Sequence, residues 1–265
     1  PKDVFGKGPS YDVGPLGLAF MLGNTLIVGG GGNVDGEEVL NIYQVPSDQG
    51  AIKADDTKFK LGPIPAGEQS STGEGNFYGI AVVPDAIFVT SNGDDEKGWI
   101  LRSEIKNNRP EELKPFIATK EATGVSGPVG IAISPKGRIV VGQMGAIDTP
   151  GDSMLTFYDS RSGKMLLNLK TGLHDIAGLA YSPRGRLYAV DFSWADAKQG
   201  GLYRLDGHLD DKGKWYVAPV KISSLDKPAA LAFAPDGALY VTIFGTAKED
   251  SDEMPGQLLK ITGDL

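Results

Sequence analysis

The chain of 265 residues is 40% hydrophobic and 23% charged, enough for a sizeable core, and its 37 glycines and 17 prolines promise many turns without reaching the range of disorder. A formal net charge of −8 with no basic patch argues against nucleic acid or an anionic membrane as partner. The lack of cysteine removes disulfides, thiolate metal sites and a Cys nucleophile, and no run reaches the roughly 18 to 20 apolar residues of a transmembrane helix.

In chain order, "PKDVFGKGPSYDV" precedes any recognisable strand pair. Removal of a secretory signal would explain a start at Pro1, as would trimming, and a secreted or periplasmic location is expected over a cytoplasmic one. Then comes "GLAFMLGNTLIVGGG" from Gly17, two apolar runs around a turn, followed by the strand-like "VLNIYQV" and "TKFKLGPI". "GIAVVPDAIFVTSNG" from Gly79 repeats the pattern and is followed by "WILRSEI" and "LKPFIAT". "GIAISPKGRIVVGQM" from Gly130 leads to "MLTFYDS" and "KMLLNLK", and "GLAYSPRGRLYAVDF" from Gly178 to "GLYRLDG" and "KWYVAPVKI". "ALAFAPDGALYVTIF" from Ala230 is followed by a single further run, "GQLLKITG".

Five copies of a hairpin with β-branched and aromatic runs around a tight turn, three of them with Pro-x-Gly, define a repeat, and helical periodicity is absent. Their starts are spaced by 62, 51, 48 and 52 residues, the length of a four-stranded propeller blade. The expectation is one all-β domain over residues 1–265, a five-bladed β-propeller of four-stranded antiparallel blades. Part of the N-terminal stretch would supply the outermost strand missing from the last blade, because an open ring exposes unpaired edges. Six blades are the alternative.

"GIAISPKGRIVV" and "GLAYSPRGRLYAVD" resemble the NHL repeat and the related gluconolactonase and strictosidine-synthase-like propellers. In those relatives an aspartate often follows the second strand. It is present here once, as Asp191, where the other copies have Gly30, Ser91, Gln143 and Ile243. The resemblance implies one divalent ion held by a Glu, an Asn and an Asp from different blades. By position their counterparts are Glu74, Asn92 and Asp191, and the ion would be Ca²⁺ or Mg²⁺, which favour hard oxygen ligands.

In such a fold the variable loops gather at one mouth of the central channel, and function resides in them. These are the loops between second and third strands and those leading into the next blade, rich in Asp, Glu, Asn and Gln. Asn33, Asn76 and Gln143 are further polar candidates. His174 stands beside Asp175, a pair able to act as general base at the mouth. Trp194, in "DFSWADAKQGG", could stack on a sugar or another flat ligand. The four glycines of "GGGGNVDGEE" lack the following helix and G-K-[ST] of a phosphate loop, so they read as a crowded strand end.

Two functions remain. A non-enzymatic, monomeric binding or scaffold propeller would present these loops to a protein, peptide or glycan. A lactonase-type hydrolase would use the divalent ion to polarise a carbonyl. The departure from the aspartate pattern and the shortage of histidine favour binding.

Overall fold

Each copy of the repeat carries its own turn. In the third, Ser134 N–H donates to Arg138 O at 2.9 Å, and Gly137 N–H donates to Ser134 O at 2.8 Å. Gly137 has φ +73, a conformation that glycine adopts without cost, and Ser134 Oγ accepts the Arg138 N–H at 3.0 Å. Ser182, Gly185 and Arg186 repeat the arrangement in the fourth copy. The fifth has Ala234 in place of the serine, and there Asp236 Oδ1 takes over, accepting the Ala238 N–H at 2.9 Å. Pro-x-Gly is therefore the signature of a turn.

The computed structural model describes residues 14–47, 50–93, 97–246 and 255–265. The fold is an all-β, five-bladed β-propeller. Contacts divide the chain into two compact units, Pro1–Pro128 and Val129–Leu265. The first unit holds two blades. One is β1 (Gly17–Met21), β2 (Thr25–Gly29), β3 (Leu40–Gln44) and β4 (Thr57–Leu61), paired in that order. The other is β5 (Ile80–Val83), β6 (Ala86–Ser91) and β7 (Trp99–Lys106), with both β8 (Arg109–Pro110) and β9 (Lys114–Ala118) paired to β7. The sequence reading missed β8. It also missed the one-turn helix α1 (Thr119–Thr123), which begins before the stretch read as loop and ends on Gly124 at φ +75.

The second unit holds three blades. They are β10 (Pro128–Ile133), β11 (Ile139–Gln143), β12 (Met154–Tyr158) and β13 (Met165–Lys170); then β14 (Ile176–Tyr181), β15 (Leu187–Asp191), β16 (Gly201–Leu209) and β17 (Trp215–Ser224); then β18 (Pro228–Phe233), β19 (Leu239–Ile243) and β20 (Gln257–Ile261). The last blade has three strands among the described residues. The proposed closing strand belongs to residues 1–13, which lie outside them.

Strand β15 shows why the repeats are apolar on both faces. Successive side chains of a strand point to opposite sides. Leu187 and Ala189 pack with Val140, Leu155 and Tyr203 towards the preceding blade. Tyr188 and Val190 pack with Leu239, Val241 and Ile243 towards the following one. Burying each large side chain contributes about 1.5–3 kcal/mol. In the first unit Ile27, Leu40, Ile42, Phe77, Ile87, Val89 and Leu101 form the corresponding core.

The glycine that opens most copies serves close approach between first strands. A Cβ on Gly178 would lie 2.9 Å from Leu231 Cδ2 and 3.3 Å from Ala230 Cα, and one on Gly17 would collide with the Tyr78 carbonyl oxygen. Crowding likewise explains two of the four consecutive glycines. A Cβ on Gly29 would meet Phe77 O at 2.6 Å, and one on Gly31 the Leu16 side chain.

Candidate ligand-binding site

In the first unit Glu74 is buried among three loops. Its carbonyl accepts Gly36 N–H at 3.0 Å, and its amide donates to Ile64 O at 2.9 Å. Its carboxylate is hydrogen-bonded to the Ser91 hydroxyl at the end of β6. Asn92, the next residue, donates its backbone N–H to Gly75 O at 3.2 Å, and its Oδ1 is buried without a hydrogen-bond partner. Asn76, at φ +52, lies in the same segment. Asn33 turns instead to buried Glu38, to which it donates from backbone N and side-chain Nδ2 at 3.3 and 3.4 Å. Burial pushes the Glu38 carboxyl above its usual range, opposed by those amides and the Val39 N–H. The unit thus ties Asn92 by its backbone to the segment of Glu74 and Asn76 and assigns Asn33 to a loop contact.

In the second unit the ordering group is Asp191, the final residue of β15, 1% exposed. Its Oδ2 accepts the His174 N–H at 2.9 Å and its Oδ1 the Asp175 N–H at 2.8 Å, so this carboxylate clamps the segment that leads into β14. Ser153 Oγ lies within bonding distance of Met144 O, His174 O and Ile176 N–H, tying the preceding blade to the same segment. Gln143 is fully buried at the end of β11, one residue before Met144.

His174 and Asp175 do not form the expected dyad. The Asp175 carboxylate is 1% exposed and its Oδ2 accepts the Trp194 N–H at 2.7 Å, while its Oδ1 has no partner. Burial raises its pKa, the Trp194 amide opposes the rise, and Asp191 and Asp152 add to it. The His174 ring meets a serine, with Nδ1 3.1 Å from Ser193 Oγ. Ser193 Oγ also lies 2.7 Å from Asp196 O, and a carbonyl can only accept. The one hydroxyl hydrogen goes there. Ser193 Oγ then accepts from His174 Nδ1–H, and the neutral ring carries its lone pair on Nε2.

One residue further, Trp194 is 47% exposed and its ring stacks on Phe192 at 4.4 Å between centroids, tilted by 35°. Phe192 in turn meets Phe244 at 6.1 Å, and Phe244 is 63% exposed. Phe192 and Phe244 occupy the same place in their copies, directly after the second strand, and each amide reaches back to the residue before its first strand, Asp175 O or Lys227 O, at 2.9 Å. The repeat thus lines up an aromatic surface across two blades, beside His174 and Asp175. Ser193 and the pairing of Phe192 with Phe244 were not singled out from sequence, although "AVDF" and "VTIF" carried the signal for the phenylalanines.

Among the described residues no three histidine or carboxylate side chains gather closely enough to hold a metal ion. Glu74 and Asn92 belong to the first unit and Asp191 to the second.

In the second unit aromatic rings thus cluster in the loops that follow the second strands. In fold the chain is similar to a glucose dehydrogenase (TM-score 0.56, 17% identity, 98% of this chain and 83% of that one) and to a protein assigned as a gluconolactonase (0.54, 14%, 89% and 72%). It is also similar to hydrazine synthase of Kuenenia stuttgartiensis (0.55, 18%, 86% of this chain), and it spans about half of that chain, 55%. At these identities the likeness is one of fold alone. No family model and no curated protein sequence matches the chain.

Proposed function

We propose that the protein is a non-enzymatic binding propeller whose ligand is a glycan, seated on the surface formed by Trp194, Phe192 and Phe244. The observation that carries this is the exposure of Trp194 and Phe244, both of which contact the Phe192 ring. Exposed aromatic clusters of this kind mark binding surfaces, and a flat ring matches the C–H face of a sugar. Beside them the His174 ring is held by Ser193, and the buried Asp175 carboxylate behind it fixes the Trp194 amide. Fluorescence titration with cellotriose, maltotriose and chitotriose tests the reading. Saturable quenching that Trp194→Ala and Phe244→Ala each weaken at least tenfold supports it, and no response to any of the three contradicts it.

The lactonase alternative requires Ca²⁺ or Mg²⁺ at Glu74, Asn92 and Asp191. Calorimetry with both ions and a lactone-hydrolysis assay test it. Metal-dependent turnover lost in Asp191→Ala would replace the binding reading.

A further inference from the structure

We propose that His174 Nε2 is a specificity-determining hydrogen-bond acceptor, selecting a ligand that presents a hydroxyl donor beside the aromatic surface. The inference rests on the reading of that surface as the ligand seat. Four contacts carry it. Asp191 fixes the His174 backbone at 2.9 Å, Ser193 holds Nδ1 at 3.1 Å, and Asp196 O fixes the direction of the Ser193 hydroxyl at 2.7 Å. Trp194, the residue after Ser193, is bonded through its amide to Asp175, the residue after His174. The ring that accepts and the ring that stacks are therefore held on two segments joined at both Ser193 and Trp194.

The held tautomer gives the device its selectivity. With Nδ1–H committed to Ser193, the neutral ring offers the outside a lone pair and no hydrogen, and no described residue bonds to Nε2. A ligand group that can only accept, such as an ether or ester oxygen, meets that lone pair and loses its water without recompense, whereas a hydroxyl satisfies it. Ser193 stands at φ +52, so Ser193→Gly removes the hydroxyl without opposing the backbone.

The experiment has a ligand-free and a ligand-bound arm. With only two histidines, a long-range ¹H–¹⁵N spectrum at pH 8, assigned with His208→Gln, reads the tautomer directly. The expected result is the Nδ1–H form for His174, shifting towards a mixture in Ser193→Gly; an Nε2–H form in the wild type overturns the proposal whatever binds. In the second arm cellotriose, maltotriose and chitotriose are compared with their fully O-methylated counterparts, which keep the ring faces and lose the donors. The trisaccharide that binds should move the His174 Nε2 resonance, and should bind roughly three- to tenfold more weakly to His174→Ala, the worth of one hydrogen bond. Equal binding of the methylated probe with an unmoved Nε2 overturns the proposal while leaving the aromatic seat intact. No binding by any probe overturns the seat and the proposal together.

Discussion

The Asp191 carboxylate joins the end of one strand to the entry of its neighbour, accepting the His174 amide hydrogen at 2.9 Å and so setting the height at which the imidazole stands. The second oxygen does the same for Asp175 at 2.8 Å. A buried carboxylate satisfied by two backbone amides is a rigid clamp, because each bond is charge-assisted and both amides would otherwise be orphaned.

Asp191→Ala should therefore lower stability by about 2–4 kcal/mol, a fall in Tm of roughly ten degrees for a chain of this size. Thermal and urea unfolding measure it. A change below 1 kcal/mol would show that the clamp is dispensable.

Gly17→Ala should cost about 1–3 kcal/mol, since its Cβ would overlap the Tyr78 carbonyl oxygen and backbone would have to move. Gly213, whose Cβ would meet nothing within 4 Å, has φ +74 and so serves as the turn control: Gly213→Ala should cost only the backbone strain, about 1 kcal/mol. Comparable unfolding midpoints for wild type and Gly17→Ala would refute the close approach of β1 to the Tyr78 segment.

The turn serines should be replaceable only where a second oxygen stands in. Ser134→Ala should cost about 0.5–1.5 kcal/mol through the orphaned Arg138 N–H, and Asp236→Ala should cost a similar amount in the blade that has no serine. Denaturant titration of the two variants checks the equivalence.

Glu38 provides the pH dependence. Burial raises its folded pKa above the ordinary 4.5, so the native state holds this proton more tightly than the unfolded chain. Its contribution to stability is fully present below 4.5 and is lost as pH rises through the folded value. Glu38→Gln keeps an acceptor for Asn33 and Val39 without the buried charge. Its Tm relative to wild type should be higher at pH 7 than at pH 4, and a difference independent of pH would contradict the assignment.

Much of this was legible in the sequence for a physical reason: blade architecture is local. Each hairpin carries its turn residues, and strands buried on both faces write continuous apolar runs, so three blades could be read from "SPKGR", "SPRGR" and "APDGA" with their flanking strands and two more from the weaker copies at Gly17 and Gly79. The short β8 could not, because a two-residue strand leaves no periodicity. The loops were harder still. Asp191 was singled out as a metal ligand because its position matches an aspartate of related propellers, but nothing in the residue itself tells a ligand from a clamp on backbone amides. His174 was paired with Asp175 because they are adjacent, but adjacency alone does not bring two side chains together, and the ring found Ser193, 19 positions away.

The central claim is that the ligand sits on Trp194, and the indole N–H resonances of the three tryptophans test it within one molecule. Trp99 is buried in the first unit and Trp215 is 48% exposed on the outermost strand β17, as open to solvent as Trp194 but remote in the repeat from the loops. Saturating cellotriose, maltotriose or chitotriose should shift the Trp194 indole signal and leave Trp99 and Trp215 in place. A shift confined to Trp215, or none at all with any of the three, would contradict the account.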